Sequence, residues 1–464
     1  MEIGKVTVSG IEVLTILHMN ITAAVGEHAK LLLECRVDED KLQDYLQLAE
    51  QEKVITVQEE DTVLFCGYVT AVACSVNQDY AQITLTVMSA TKRLDKEKKT
   101  RSFQNTKKTY LETVEVITPC ILRGENRAIG EIAIQYRETD WEFIKRLASR
   151  AQAQVYADMT KSNVYVQWGI EEGASAREIS VQQASARKDF ALYYAKKENG
   201  VSALSEEDAL AYEIVSDDFC KVGDCISYEG RRLYISELAC NMDHAAFRAK
   251  YIARTAASFQ VQEQYLYDLA GAALEGKILA VQGDKVQVHL SVDATQEKAD
   301  AYWFPFSTMQ SAADGSGWYY MPEVGDCVKV CLPGWEERGA FAVSAVSTYQ
   351  ADGDTEDKMA DTSVKYMRNP SGKQIQLTPN AIKADGGGGA SLLAMDTEGN
   401  IKLKSEKTLE ITASEMIEIY AGKAIEMQAS KILDIKADTT GELLLDENGE
   451  IKQLGGQVNI NSEE

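Results

Sequence analysis

Between Leu409 and Ala437 the chain reads LEITASEMIEIYAGKAIEMQASKILDIKA, and the apolar pairs Leu409/Ile411, Ile417/Ile419, Ile425/Met427 and Leu433/Ile435 recur every eight residues. The residue types suit a helix, but at roughly 100° per residue this spacing scatters the pairs around a helical axis. In extended conformation both separations are even, so every one of these side chains points to the same side. The same code starts at Ile401/Leu403 and runs to about residue 440. One chain winding a three-sided coil of roughly 24 residues per turn would not complete two turns, and repeat stacks need about three units. Three chains supplying one side each would make about five turns. The expectation is an intertwined trimeric β-helix, a prism-like needle. Ile401, Leu403, Leu409, Ile411, Ile417, Ile419, Ile425, Met427, Leu433 and Ile435 form its axis core, while Lys404, Glu406, Glu410, Glu418 and Lys431 stay in water. Such a closed shaft has no long open sheet edge.

The rest of the chain reads as mainly β. In YAQITLTVMSATKRL, Ile83, Leu85 and Val87 alternate with Thr84 and Thr86, the signature of a half-buried strand. With its neighbours this predicts a β-barrel or sandwich over 1–100. Residues 101–175 form a connecting α/β segment with one clear helix: Thr139 and Glu142 make a capping box, Asp140 adds charge to the first turn, and Trp141, Ile144, Leu147 and Ala148 form the buried stripe. A second barrel is expected over 176–270 and a small closed barrel of the OB type over 271–349. A polar linker fills 350–368 and the repeat tail 369–464, with Gly386 to Gly389 as a loop. The basic run KRLDKEKKTRSFQNTKK is expected to be a solvated loop, the other reading being a dock for an acidic neighbour.

With 72 acidic and 48 basic residues the net charge is −24, which disfavours nucleic acid or an anionic membrane as a general partner. Nine cysteines contain no CxxC pair, so reduced thiols in a cytoplasmically made protein are expected. Cys327 and Cys331, four apart on a strand, lie roughly 13 Å from one another at 3.3 Å per residue, beyond disulfide reach. MEIGKVTVSG has no apolar h-region, and no run approaches a membrane span.

Four stretches in order, RSFQNTKKTYLE, IQYRETDWEFIKRLA, YMPEVGDCVKV ahead of GAFAVSAVS, and NPSGKQIQLTP opening the octad tail, resemble the VgrG-type spike proteins of contractile injection systems. These systems include phage tails, tailocins, extracellular injection particles and type VI secretion machines. The resemblance implies a homotrimer whose two barrels per chain form a hub ring adapting to the tail tube, with OB domains at a collar and a β-helical needle below. It implies as partners the tail tube or a tube-initiator protein, baseplate proteins, a small PAAR-type tip protein and, transiently, the target envelope. With only a short linker where some phage relatives carry a lysozyme domain, and GGQVNINSEE where others pass into a toxic extension, a bare needle is expected.

Chemistry-bearing motifs are missing. His18, His28, His244 and His289 form no HExxH or HxH pattern, so neither a zinc peptidase site nor the iron-holding motif of some spike tips is expected. There is no GxSxG, P-loop or GxGxxG set. No catalytic residue, metal or cofactor is therefore expected. Two rivals are a tail-associated peptidoglycan hydrolase, because no carboxylate pair is excluded in so acidic a chain, and a single-strand-binding OB protein stacking bases on Tyr302, Trp303, Phe304, Trp318, Tyr319 and Tyr320. Residues 272–348 hold five basic and ten acidic residues, which favours core and interface packing for those rings.

Overall fold

A computed structural model describes residues 6–77, 80–243, 246–314, 316–347, 349, 357, 359–437, 441–445 and 448–457. His244 and residues 350–356 and 358 of the expected linker lie outside the described residues. The chain divides into two units, 1–348 and 349–464. Both are mainly antiparallel β. No described helix is long and apolar enough to cross a membrane.

The first unit is built on a twelve-stranded sheet. Its N-terminal half runs, in spatial order, Val6–Ser9, Val54–Glu59, Thr62–Asn77, Tyr80–Ser89, Lys30–Val37 and Thr15–Ala24. Tyr80–Ser89 alternates as expected, with Ile83, Leu85 and Val87 fully buried. The second half continues through Arg231–Asp243, Ala246–Arg254, Leu210–Ser216 and Gln183–Lys188. The halves join where Thr15–Ala24 pairs with Arg231–Asp243, Ala24 opposite Glu237 and Met19 opposite Met242. The two stretches expected as separate barrels are thus not independent. Leu31, Leu33 and Leu85 from one half share a single buried cluster with Ile214, Ile235 and Tyr251 from the other. The physical reason is the strand Thr15–Ala24, which presents Met19 and Ile21 to the core and would leave a row of backbone groups unpaired if the halves parted.

The connecting segment carries the capped helix Asp140–Arg150, with both reciprocal bonds present: Glu142 N to Thr139 Oγ1 at 3.1 Å and Thr139 N to Glu142 Oε2 at 2.8 Å. Trp141, Ile144, Leu147 and Ala148 are buried. Residues 273–344 form a five-stranded antiparallel sheet in the order Trp303–Pro305, Lys285–Leu290, Ala273–Gln282, Cys327–Cys331, Phe341–Ser344. A bridge between Phe306 and Ala342 brings its two outer strands together. All nine cysteines are free thiols.

The second unit consists of two meanders. Five strands, Lys365–Arg368, Gln374–Thr378, Ala381–Asp385, Ser391–Asp396 and Ile401–Ser405, pair in chain order. Their connections are side-chain-capped turns: Asp385 Oδ1 accepts from Gly387 N and Gly389 N, and Asp396 Oδ1 from Glu398 N and Asn400 N. Leu433–Ala437, Gly441–Leu445 and Ile451–Leu454 form the second sheet. Residues 406–432 form neither helix nor strand within the single chain.

Candidate functional site

For a chain expected to bear load, the informative places are those that stiffen it and those it leaves uncovered. The first is a joint between the connecting segment and the five-stranded domain. The basic run is not the solvated loop its composition suggested. Lys98–Phe103 is a strand paired with Ala133–Thr139, and Lys99 and Arg101 hold the Asp140 carboxylate at 2.7 and 2.5 Å. Arg93 pairs with Glu52 at 2.5 Å, and Lys96 reaches the same carboxylate. The acidic neighbours are supplied by the chain itself.

Beyond that strand, Ser102 to Asn105 straps the five-stranded domain down. Ser102 donates from N and Oγ to the two oxygens of Asp293, at 2.7 and 2.5 Å. Gln104 acts as a substitute strand residue, donating to Val288 O at 3.1 Å and accepting from Tyr302 N at 3.0 Å. Asn105 donates to Asp300 at 2.9 Å. Burial raises the Asp293 carboxyl above its ordinary range even though the Ser102 bonds oppose the shift.

Behind the strap lies a charge network with almost no solvent access. Arg146 donates to Glu138 through Nε and Nη2, at 2.9 and 2.7 Å, to Glu337 through Nη1 at 2.7 Å, and to Ile134 O. Arg150 holds the other Glu337 oxygen at 2.6 Å. The four side chains are 5–9% exposed. Burial would lower the Arg146 guanidinium, but the carboxylates of Glu138 and Glu337 outweigh it and hold the group above its ordinary value. Charges in this setting fix geometry, because each is satisfied only in one arrangement.

A third cluster looks catalytic by atom type. His28 Nδ1 lies 2.9 Å from Thr91 Oγ1, and His28 Nε2 lies 2.8 Å from Asp95 Oδ2. Thr91 is fully buried, however, and its hydroxyl also bonds Ser89 Oγ, so no acyl group can approach it. The cluster instead pins the helix start: Thr139 Oγ1 donates to Asp95 at 2.7 Å, and the His28 ring packs 4.5 Å from Trp141. Burial lowers the His28 pKa, and although the Asp95 bond and charge oppose this, burial prevails. An unfolded imidazole takes up its proton near pH 6.5 and the buried one only at lower pH, so below about pH 6.5 the unfolded state binds more protons. Stability is therefore expected to fall as pH drops from about 7.5 to 5.5. Asp95 reinforces the trend at lower pH: burial raises its carboxyl, but bonds from Thr139, His28 and Lys92 leave it below the usual range. His28→Gln should flatten the upper part of the curve, as measured by thermal unfolding across that range; an unchanged slope would assign it to other groups.

In the second unit the site is a surface. The register of the five-stranded sheet places Met367, Ile375, Ala384, Leu393 and Leu403 in one cross-strand row. Lys365, Leu377, Ile382, Met395 and Ile401 form the adjacent row. Both rows lie on the same face, and the large apolar members named as exposed, Met367, Ile375, Leu377, Ile382, Met395, Ile401 and Leu403, are 38–71% accessible. The opposite face is mainly polar, carrying Arg368, Gln374, Gln376, Lys383, Asp385, Lys402 and Lys404 together with Tyr366, Leu392 and Ala394. Of the expected axis residues, Ile401 and Leu403 thus stand at one edge of an apolar face, and Leu433 and Ile435 lie in the second sheet, paired with Leu445 and Leu443. Leu409, Ile411, Ile417, Ile419, Ile425 and Met427 are 52–66% exposed in the stretch without strand. The face of Ile375, Leu377, Ile382, Leu393 and Met395 was not singled out from sequence, although the alternation in QIQL, AIKA and IKLK carries it.

The six aromatics weighed for base stacking separate. Phe304 is fully buried, whereas Trp318, Tyr319 and Tyr320 are 46%, 73% and 53% exposed on the long connection before Cys327. Among the described residues no three or more His, Cys, Asp or Glu side chains cluster as a metal site.

Residues 24–167 match the family described as phage tail baseplate hub (GPD). No curated protein matches the chain in sequence. Among solved structures, an E. coli component of the type VI secretion system, itself similar to the T4 bacteriophage tail proteins gp27 and gp5, aligns with a TM-score of 0.52. The identity is 12%, over 73% of this chain and 99% of that one. A chain of the Francisella PdpA–VgrG complex aligns with a TM-score of 0.50 and 7% identity, over 84% of each chain. At these identities the likeness is one of fold.

Proposed function

We propose, from the premise that this is a VgrG-type hub and spike chain, that it works as the homotrimeric central spike and baseplate hub of a contractile injection particle. The hub caps the tail tube, the OB-type domain forms a collar, and the C-terminal tail makes an intertwined needle that punctures the target envelope and is then shed. The mechanism is force transmission: the contracting sheath drives the tube, and the needle concentrates load on a small area. The buried network of Arg146, Arg150, Glu138 and Glu337 and the strap from Ser102 to Asn105 suit a rigid collar joint.

The observation that carries this reading is the apolar face of the second unit. An amphipathic sheet with two bare cross-strand rows, followed by exposed apolar pairs every eight residues, is not at rest in water as a single chain. Three copies can cover it with one another, each supplying a side of a prism, and the unpaired stretch 406–432 then gains partner strands for its backbone. The inward set is the expected axis from Ile401 to Ile435, extended upward by the rows of the five-stranded sheet. Tube, baseplate and tip proteins are the remaining partners, and the activity is structural, with no catalytic step.

Light scattering on purified full-length protein should give about three times the 51.2 kDa chain mass, with resistance to SDS. A stable monomer would exclude the needle. The hydrolase rival predicts clearing of peptidoglycan that one carboxylate substitution abolishes, and the OB rival predicts salt-sensitive binding of single strands; neither is expected.

A further inference from the structure

Where the chain passes into the five-stranded domain, three aromatic side chains stand together in solvent. Tyr265 and Tyr267 flank Trp335, with ring centroids 6.5 and 5.7 Å from the indole and each ring inclined to it by 62°. The three residues are 37%, 69% and 45% exposed. Two carboxylates border the group, each with one oxygen engaged by the chain's own arginine. Tyr265 Oη donates to Glu263 Oε2 at 3.3 Å while Glu263 Oε1 lies 4.0 Å from Arg150, and Glu336, next to Trp335 in sequence, accepts from Arg338 through Oε2 and leaves Oε1 for a further donor. Both carboxylates raise the Tyr265 phenol after burial, the larger cause, and Arg338 opposes them.

Several rings elsewhere are covered by the chain's own cations, such as Arg36 over Tyr80, Arg93 over Tyr68 and Lys197 over Tyr193. Among the described residues no lysine or arginine lies over Tyr265, Tyr267 or Trp335. Negative ring faces joined to carboxylates, in a chain of net charge −24, favour an organic cation. A flat guanidinium can lie on a ring while its N–H fork reaches a carboxylate, which an ammonium cannot match. The cup is open, so it holds a group better when that group is delivered on a larger surface than when it is a free ion.

We propose that Tyr265, Tyr267 and Trp335 form a docking cup for an arginine side chain presented by a partner protein. Docking there would clip the partner to the joint, since Trp335 lies two residues from the buried Glu337.

Saturation-transfer NMR on the full-length assembly, with acetyl-arginine methylamide as probe and the neutral acetyl-citrulline methylamide as control, tests this. Saturation should reach the arginine side chain and not citrulline, and weaken as salt rises. Trp335→Ala should reduce affinity about tenfold, and Trp335→Phe should stay within about threefold of wild type. Tyr267→Ala, at the most exposed ring, provides a second loss variant should Trp335→Ala misfold. Equal saturation of both probes, or unchanged binding by both alanine variants, would overturn the proposal. Tighter capture of tetramethylammonium than of the arginine probe would reassign the cup to small quaternary cations. No saturation, with the three rings shielded from quencher in the assembly, would make the patch a contact between copies.

Discussion

Arg146→Ala will unfold the hub at markedly lower urea concentration, with a loss of about 3–5 kcal/mol. The substitution removes the cation that Glu138 and Glu337 share and leaves two carboxylates in a setting almost closed to water. It also strips Ile134 O of a donor. Arg150 still reaches Glu337 but makes no bond to Glu138, so one carboxylate is stranded outright. Tryptophan fluorescence will follow the transition, since Trp141 lies in the helix that carries Arg146. A shift below about 0.5 kcal/mol, the range of ordinary surface substitutions, would mean water enters the joint and the network is not a clamp. Replacing all four members, Arg146, Arg150, Glu138 and Glu337, together by apolar residues of similar size should restore most of the stability, because the penalty arises from unpaired charge and none is then left behind.

That network also shows where sequence reasoning stops. The helix it hangs on was legible, because Thr139 and Glu142 sit three residues apart and the apolar stripe has the helical period; both are local facts. The strand Tyr80–Ser89 was legible for the same reason. Nothing local distinguishes Glu337, in the loop sequence PGWEERG, from the half-buried Glu336 beside it, yet one is buried between two arginines and the other pairs with the exposed Arg338. Likewise Gln104 reads as one amide in a polar run, and its partners Val288 and Tyr302 are nearly two hundred residues away. Pairings of single polar groups across such separations have no period. The basic run was misjudged for this reason, its acidic partners Glu52 and Asp140 lying on either side of it in the chain.

The tail poses the opposite case, in which the periodic signal is strong and the partner proposed for it lies outside the single chain. Ile419→Asp should convert the trimer to lower-mass species, because it would set three like charges together in an apolar axis and destabilise the assembly by several kcal/mol. Ile419 is 62% exposed in the single chain, so its mutation has little to disturb there; any large effect must come from association. Glu418→Lys, one residue away and on the opposite side of an extended strand, serves as the matched control and should leave the mass near three chains. The comparison separates a directional effect from a general response to charge. Equal loss of assembly by both variants would mean that side is not what matters in this stretch, and an intact, SDS-resistant Ile419→Asp trimer would show that the octad pairs face outward. If only Ile419→Asp dissociates, the two-in-eight code is a code for contact between chains, and the 27 residues from 406 to 432 lack strand structure in one chain because the strands that would pair with them belong to two others.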